Sequence, residues 1–128
     1  MVKIVFCLRR HPGVSREEFQ DYWKRHHSAL VEARAATLGI RRYVQVHTLD
    51  VPVNGALRAP RGGPEPFDGV AELWWDSVDA VATATDSPEG LRAVRDLLDD
   101  EARFIDFTRS PIWVGQEVEF VSLDARPG

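Results

Sequence analysis

Three histidines of this chain, His26, His27 and His47, stand where they could perform acid–base chemistry. Imidazole is the side chain whose unperturbed pKa lies closest to neutral pH, so it can accept or donate a proton under ordinary conditions. His26 and His27 fall near the apolar stripe of a helix predicted over residues 15–38. At about 100° of rotation per residue, His26 points closer to the centre of that stripe than His27 does. Either histidine could act on a ligand, and either could instead be hydrogen-bonded at the boundary between helix and sheet.

His47 lies on a predicted strand, residues 41–49, where side chains alternate between the two faces. It therefore shares a face with Tyr43 and Gln45, but the sequence does not decide whether that face meets the helices or a partner subunit. If it meets the helices, these three side chains and His27 would line one cavity with aromatic walls. Such a cavity would supply the acid and base needed to enolise and then dehydrate or cyclise a poly-β-ketone. A purely structural role for His47, as a hydrogen-bonded histidine of the sheet, is an equal alternative.

Other kinds of catalytic site are excluded or disfavoured by the sequence. It contains no glycine-rich phosphate loop and no G-x-S-x-G nucleophile elbow. Cys7, the single cysteine, lies within an apolar run and is interpreted as a small core residue rather than a nucleophile. The two adjacent helix histidines diverge, and no histidine pair has i, i+4 spacing, so no metal site is expected. The acidic run Asp99-Asp100-Glu101 predicts a solvated face, with Asp100 in an ion pair with an arginine.

The composition is that of an ordinary globular domain, with 44% hydrophobic and 28% charged residues in a chain of 128. The net charge of −4 argues against a nucleic-acid-binding surface, and the basic stretch Arg9-Arg10-His11 is too short to follow a phosphate backbone. The apolar run over residues 2–8 is too short to span a membrane and precedes no small-residue cleavage site. Together with the single cysteine, these features predict a soluble cytoplasmic protein that binds neither nucleic acid nor membrane.

Hydrophobic periodicity and capping residues predict the elements that must position the histidines. Ser15 and Glu18 form a capping box, which begins a helix that continues without interruption to about Leu38. Residues 50–68 are rich in proline and glycine and are predicted to be a long loop that covers or borders the pocket mouth. Shorter helices should follow Ser77 and Ser87, and the predicted strands are residues 2–9, 41–49, 69–75 and 112–121. One domain over residues 1–121 would leave residues 122–128 as a disordered tail.

This order, β-α-β followed by a loop and a second β-α-β, is typical of the split βαβ arrangement. It predicts an α+β, ferredoxin-like fold in which a four-stranded antiparallel sheet carries both helices on one face. The other face would be bare and lined by Val, Phe and Trp, so we expect a second copy to cover it in a homodimer. Trp74 and Trp75 alternate along a strand, so one should face the pocket and the other the dimer interface.

Several segments, taken in their order and spacing, resemble the EthD family of the dimeric α/β-barrel superfamily. They span roughly residues 4–121 and include Val5-Phe6-Cys7-Leu8-Arg9-Arg10, Tyr22-Trp23-x-x-x-His27, Tyr43-Val44-Gln45-Val46-His47, Asp68-Gly69-Val70-Ala71-Glu72-Leu73-Trp74 and Asp100-Glu101-Ala102-Arg103-Phe104. The resemblance implies a fold similar to that of small monooxygenases and polyketide cyclases. It also implies relatives that are cofactor-independent dehydratases, decarboxylases or cyclases of aromatic polyketides, and others implicated in ether degradation. The family motif selects His27, four residues after Trp23, over His26.

The residues and the resemblance together predict a lyase or isomerase of the polyketide-cyclase type that uses neither cofactor nor metal. Its substrate would be a hydrophobic aromatic or polyketide-like small molecule. The predicted catalytic residues are His27 and His47. The predicted substrate contacts are Tyr22, Trp23, Tyr43, Gln45, Trp74 and Phe104. The alternative function is that of a non-catalytic accessory protein, which would hold an apolar ligand or a haem for an oxygenase.

Overall fold

A computed structural model describes residues 1–123 and joins the four predicted strands into one antiparallel sheet. The elements in chain order are β1 (Val2–Leu8), α1 (Arg16–Tyr22), a π-helical turn (Trp23–His27), α2 (Ser28–Leu38), β2 (Arg42–His47), α3 (Pro52–Arg58), β3 (Gly69–Trp75), α4 (Val78–Thr83), α5 (Pro88–Glu101) and β4 (Ile112–Gly115). The strand order β2-β3-β1-β4 confirms the predicted α+β, ferredoxin-like fold. No helix within residues 1–123 is long and apolar enough to cross a membrane. The predicted tail falls mostly on residues 124–128, which lie outside the described part of the chain.

The helix boundaries follow the capping signals of the sequence. The Ser15 hydroxyl accepts a hydrogen bond from the Glu18 amide (3.0 Å), and the Glu18 carboxylate accepts one from the Ser15 amide (3.3 Å). This is the predicted capping box. Gly39 ends α2 with a φ of 77°, a conformation that favours glycine. Ser77 and Ser87 cap α4 and α5 through their hydroxyl groups, as predicted.

The core lies between the sheet and the helices, and it holds the first helical segment tightly against β3. Phe19 and Trp23 are 0% and 1% exposed and pack beside Phe104. Trp23 approaches the sheet so closely that a Cβ atom at Gly69 would lie 2.3 Å from its indole ring. Only glycine fits at that position of β3, and the glycine in turn determines how deep Trp23 sits.

The opposite face of the sheet is partly exposed. By the register of the strands, the apolar side chains on this face are those of Val5, Cys7, Val44, Val46, Val70, Trp74 and Trp113. Val46 and Trp113 are each 48% exposed. Phe6 points to the helices and joins the core, so this face carries valine and tryptophan of the predicted types, but not the phenylalanine of β1. Trp75 also points to the helices and donates its indole N–H to the Leu38 carbonyl (2.7 Å), so the predicted alternation of Trp74 and Trp75 is confirmed.

Two predicted elements are wrong: the loop at residues 50–68 contains a helix, and the last strand is shorter than expected. Within residues 50–68 the chain forms α3, because Pro52 occupies the first turn of a helix, where proline is tolerated. The Asn54 side-chain amide supports that turn by donating to the Leu49 carbonyl (2.6 Å). β4 ends at Gly115 rather than at residue 121, because Gly115 already pairs with Lys3 near the start of β1. Later residues therefore have no remaining length of β1 to pair with.

Candidate active site

The π-helical turn at Trp23–His27 sets the direction of both helix histidines. The Ser28 amide donates to the Trp23 carbonyl, a bond of the i→i+5 type, so this turn is wider than an α-helical turn. Each residue in it therefore rotates by less than the roughly 100° assumed for an α-helix. The predicted uninterrupted α-helix, with His26 nearer the buried stripe, is wrong for this reason. The His27 side chain is 6% exposed, whereas that of His26 is 58% exposed.

Gln45 of β2 stabilises this turn from the sheet. Its side-chain amide donates to the Trp23 carbonyl (3.0 Å) and to the Tyr43 hydroxyl (2.6 Å). The face of β2 that carries Tyr43, Gln45 and His47 therefore meets the helices, which the sequence left open. Side chains that bond into a helical ladder are a known cause of local departures from α geometry.

Asp100, near the end of α5, is the partner of His27. Its Oδ2 atom lies 2.7 Å from Nδ1 of His27, and its Oδ1 atom accepts the Tyr22 hydroxyl at 2.5 Å. The predicted ion pair of Asp100 with an arginine is wrong, as is the predicted solvated face, since Asp100 is 5% exposed. Burial alone would raise the pKa of Asp100, but the hydrogen bonds from Tyr22 and His27 outweigh it and hold the pKa below 3.8. Asp100 is therefore a carboxylate near neutral pH.

A carboxylate at Nδ1 determines the form of the imidazole. Because Asp100 can only accept a hydrogen bond, His27 must carry a proton on Nδ1. Burial lowers the pKa of His27 below 6.5, and the hydrogen bond and charge of Asp100 oppose that shift only in part. The imidazole is then neutral at pH 7, with its lone pair on Nε2. This is the form that a general base requires.

Glu101 faces His27 from the other side. Its Oε2 atom lies 3.8 Å from Nε2 of His27. Burial raises the pKa of Glu101 to about 7, and the neighbouring charge of Asp100 adds to the shift. A substantial fraction of Glu101 is therefore a protonated carboxylic acid at neutral pH. The two groups form an uncharged base and an uncharged acid within one site.

The two groups open onto a small cavity of about 50 Å³ between the sheet and the helices. Its polar lining consists of His27, Glu101 and Tyr43. Burial raises the pKa of Tyr43 to about 12, so its hydroxyl stays protonated. The remaining walls are apolar and belong to Phe6, Leu8, Trp23, Val31, Ala71, Leu73, Leu97 and Ile105. An apolar cavity with a few convergent polar groups is typical of a site for a small molecule.

His47 does not reach this cavity, so the prediction that it faces His27 across the cavity is wrong. Its ring stacks on the indole of Trp23, with centroids 4.5 Å apart, and Trp23 lines the cavity. Its Nε2 atom lies 2.8 Å from the Gln45 carbonyl oxygen Oε1. Burial lowers the pKa of His47, and the charge of Lys24 lowers it further. His47 therefore contacts Gln45 and Trp23, which hold the π-helical turn in place, and it does not line the cavity.

The other predicted site residues are divided among three places. Trp23 and Tyr43 line the cavity, as expected of substrate contacts. Tyr22 and Phe104 lie behind His27, where Phe104 meets the imidazole edge at a centroid distance of 5.2 Å. Trp74 lies on the opposite face of the sheet, where its indole N–H donates to a Glu117 carboxylate oxygen (2.8 Å). The predicted loop at residues 50–68 contributes nothing to the cavity lining.

Glu101 was missed from the sequence, although a signal for it exists. The buried residues of α5 recur as Gly90, Ala93, Leu97 and Asp100. This stripe has helical spacing, and Glu101 continues it four residues after Leu97. Because Asp100 and Glu101 continue this buried stripe, their side chains should point to the core rather than into solvent. Within residues 1–123, no group of three or more His, Cys, Asp or Glu side chains could hold a metal ion.

The chain was compared with known protein families and structures. The family model for the EthD domain matches residues 11–108, a range that includes His27, Asp100 and Glu101. No curated protein sequence matches the chain. An EthD-like protein from Ralstonia eutropha has a similar structure, with a TM-score of 0.64, 17% identity, and coverage of 94% of this chain and 95% of its own.

Two further structures extend the comparison. A dimeric protein of unknown function with a ferredoxin-like fold, from Bacteroides fragilis, has a TM-score of 0.57 at 15% identity, covering 91% of this chain and 95% of its own. SnoaB from Streptomyces nogalater, described as a cofactor-independent oxygenase, has a TM-score of 0.52 at 17% identity. The match covers 94% of this chain and 95% of SnoaB. At these identities the likeness shows a shared fold.

Proposed function

The chain belongs to the EthD domain family, and from its site we propose that it is a cofactor-free acid–base enzyme acting on a hydrophobic aromatic or polyketide-like small molecule. The reaction would be that of a lyase or isomerase of the cyclase, dehydratase or decarboxylase type. One observation carries the proposal. His27 is held by Asp100 through Nδ1 and presents Nε2 to Glu101, 3.8 Å away, at the edge of an apolar cavity.

In the first step, Nε2 of His27 removes a proton from a carbon next to a substrate carbonyl. The electron pair of that C–H bond forms a C=C bond, and the carbonyl oxygen takes the proton of Glu101. The products of the step are an enol, an imidazolium and a carboxylate. Asp100 stabilises the imidazolium at Nδ1, and it does so without moving because the hydrogen bond is already formed. The burial that raises the pKa of Glu101 also keeps the acid protonated for this transfer.

The enol can then attack a second carbonyl of the same substrate, which closes a ring. In that step the enol hydroxyl returns its proton to the Glu101 carboxylate, and the new alkoxide takes the proton of the imidazolium, so both residues regain their starting forms. A dehydration follows when His27 removes a second proton from the attacking carbon and the resulting imidazolium gives it to the departing hydroxyl group, which leaves as water. Neither step requires a redox group. The description of the structural neighbour SnoaB as a cofactor-independent oxygenase supports chemistry on this fold without a bound cofactor.

The size of the cavity limits what can enter it. Pockets that enclose a whole ligand usually measure roughly 300–1,000 Å³, whereas this one measures about 50 Å³. The reacting carbon and its carbonyl group fit, and the rest of a larger substrate requires the side chains of the walls to move apart. A haem does not fit between His27 and Glu101, so the site favours the enzyme over the haem-binding alternative.

His47 has a supporting role in this proposal. It contacts the Gln45 side chain that bonds to the Trp23 carbonyl, and it stacks on Trp23 itself. Both contacts hold the turn that orients His27. We therefore assign proton transfer to His27 and Glu101, and positioning to Gln45 and His47.

We also propose that the protein works as a homodimer in the cytoplasm. The half-exposed sheet face, with Val46 and Trp113 each 48% exposed, offers an apolar surface for a second copy. The structural neighbour from Bacteroides fragilis is described as dimeric. The single cysteine, Cys7, is a free buried thiol, which suits a reducing compartment.

Sedimentation at low micromolar concentration should give twice the 14.4 kDa mass of the chain, and the variant Trp113→Lys should shift the protein to a monomer. A wild-type monomer would contradict the proposal.

The proposed chemistry can be tested without the natural substrate. 2-Acetonaphthone carries an acetyl group small enough for the cavity, and the protein should accelerate exchange of its methyl protons with D₂O, as followed by NMR. His27→Gln should lower that acceleration at least about 100-fold, because a general base contributes ~10²–10⁴-fold. The matched control is His26→Gln, whose exposed side chain should matter less than about tenfold. Equal exchange rates in wild type and His27→Gln would refute the acid–base assignment.

A further inference from the structure

A second cavity, of about 320 Å³, lies just beyond the carboxyl end of β1, and it shares no lining residue with the cavity at His27. Its lining is Arg9, Arg10, His11, Pro12, Gly13, Val14, Arg16, Glu65, Pro66, Asp68 and Arg109. Four arginines therefore line one cavity in a chain whose net charge is −4. Like charges repel unless something compensates them, so the partners of each arginine decide what this cavity can do.

Asp68 compensates part of the charge and fixes two of the arginines. It is 2% exposed, and its carboxylate accepts the Arg10 amide (2.9 Å), the Arg10 guanidinium and Nε of Arg16 (3.0 Å). Burial alone would raise the pKa of Asp68, but these donors outweigh it and lower the pKa below 3.8. One carboxylate thus orients two guanidinium groups and neutralises about one of them. The two terminal nitrogens of the Arg16 guanidinium form no hydrogen bond with any residue from 1 to 123.

Arg9 has no carboxylate partner in the described part of the chain. Its two terminal nitrogens donate to the main-chain carbonyls of Pro66 (2.8 Å) and Glu65 (3.0 Å), which hold the side chain in place without cancelling its charge. The Glu65 carboxylate itself pairs with Arg58, which does not line the cavity. The Arg9 guanidinium also lies over the Phe67 ring, 4.3 Å from its centroid, which further restrains it.

The Arg109 side chain forms no hydrogen bond or ion pair within residues 1–123, and only its main-chain N–H is bonded, to the Asp106 carbonyl (3.1 Å). The nearby Asp106 carboxylate acts on it through space, while accepting its own hydrogen bonds from Thr108. Of the two carboxylates that line the cavity, Asp68 pairs with Arg10 and Arg16, and Glu65 pairs with Arg58 outside it. Four arginines against these two carboxylates leave the lining of the cavity positive.

We propose that this cavity binds the phosphate group of a small molecule, or free phosphate. Guanidinium groups present planar pairs of N–H donors that match phosphate oxygens, and arginines held in place beforehand lose less entropy on binding. The negative charge of a phosphate group is opposite in sign to that of the arginine-rich lining. The volume of the cavity suits a small molecule, and the net negative charge of the chain argues against a nucleic acid.

Isothermal titration calorimetry tests this site directly, with inorganic phosphate and phenyl phosphate as the two probes and chloride at equal ionic strength as the reference. We expect saturable binding of one phosphate per chain, with a Kd below about 10 mM. Tighter binding of phenyl phosphate would identify a phosphate monoester as the ligand, and tighter binding of inorganic phosphate would identify the free ion.

Two variants locate the binding. Arg109→Gln, which removes a side chain without partners in the described chain, should weaken phosphate binding about tenfold, and Arg16→Gln should do the same. The matched control is Arg92→Gln, since Arg92 is an exposed residue of α5 that pairs only weakly with Glu89 (3.9 Å). Absence of saturable binding, or equal binding by Arg109→Gln and the wild type, would overturn the proposal. Circular dichroism and the exchange of 2-acetonaphthone protons should be unchanged in Arg109→Gln, so the test is independent of the His27 chemistry.

Discussion

Two buried carboxylates, Asp68 and Asp100, support two cavities of different character. They are 2% and 5% exposed, and in both the donors around the carboxylate lower its pKa although burial opposes this. The partners of Asp68 are the guanidinium groups of Arg10 and Arg16. The hydrogen-bond partners of Asp100 are Tyr22 and His27, and Nε2 of His26 lies farther away, 3.6 Å from its Oδ1 atom.

The difference shows that the hydrogen-bond partners of a buried carboxylate determine whether the neighbouring site can bind an anion or transfer a proton. Beside arginine, the carboxylate orders fixed cations, and the resulting site can attract an anion but cannot exchange protons. Beside imidazole, the carboxylate selects one tautomer and leaves a lone pair on the other nitrogen. Asp100 also adds to the raised pKa of Glu101, so one charge tunes both the base and the acid of the site.

The largest effect that separates the two regions should come from Asp100→Asn. The amide has no charge to stabilise an imidazolium at His27, and it no longer enforces a proton on Nδ1. We expect exchange of 2-acetonaphthone protons to fall at least about 100-fold, while the protein stays folded. Asp99→Asn is the matched control, because Asp99 is the exposed neighbour on the same helix. A loss of less than threefold in Asp100→Asn would mean that the carboxylate does not act on His27.

Asp68→Asn should change stability more than activity. It leaves the charges of Arg10 and Arg16 beside a buried amide, and removing one partner of a buried ion pair typically costs about 3 kcal/mol or more. Urea denaturation should show this loss, together with loss of phosphate binding. Asp76→Asn is the control, since Asp76 is exposed and only 3.8 Å from Arg41 at its closest. If Asp68→Asn is as stable as Asp76→Asn, the claim that Asp68 stabilises the fold through Arg10 and Arg16 is wrong.

The smallest effect concerns pH. Exchange should slow below pH 6.5, where His27 gains a proton, and above about pH 7, where Glu101 loses its own. The fall at high pH follows because a raised carboxyl pKa keeps the acid available only below that pKa. Glu101→Gln, which cannot titrate, should lower the maximum rate and remove the alkaline decline. An unchanged pH profile in Glu101→Gln would exclude Glu101 as the acid.

Much of the frame could be predicted from the sequence because its signals are local. The capping box at Ser15 and Glu18, the caps at Ser77 and Ser87, and the left-handed Gly39 each depend on a few consecutive residues. The strand alternation that separates Trp74 from Trp75 is equally local. The helix α3 was missed because its prolines were interpreted as breakers, although Pro52 lies at a position where proline is tolerated.

The site could be predicted only in part because its geometry depends on distant residues. The π-helical turn is supported by Gln45, which lies 22 residues from Trp23. A helical wheel assumes a regular α-helix and cannot include a contact with β2. It therefore placed His26, rather than His27, nearest the buried stripe. The pairing of His27 with Asp100 joins residues 73 apart, and an acidic run at a helix end gives no local sign of burial. The family motif selected His27, the histidine that the structure buries, whereas Glu101 required the buried stripe of α5 to be followed to its end.

The central claim is that His27 is a neutral imidazole with its proton on Nδ1, held by Asp100. Imidazole ¹⁵N chemical shifts, measured by long-range ¹H–¹⁵N NMR at pH 7, report this state directly. We predict a protonated Nδ1 and an unprotonated Nε2 for His27, a midpoint of titration below pH 6.5, and loss of this tautomer preference in Asp100→Asn. A cationic His27 at pH 7, or a proton on Nε2 with Nδ1 bare, would contradict the account.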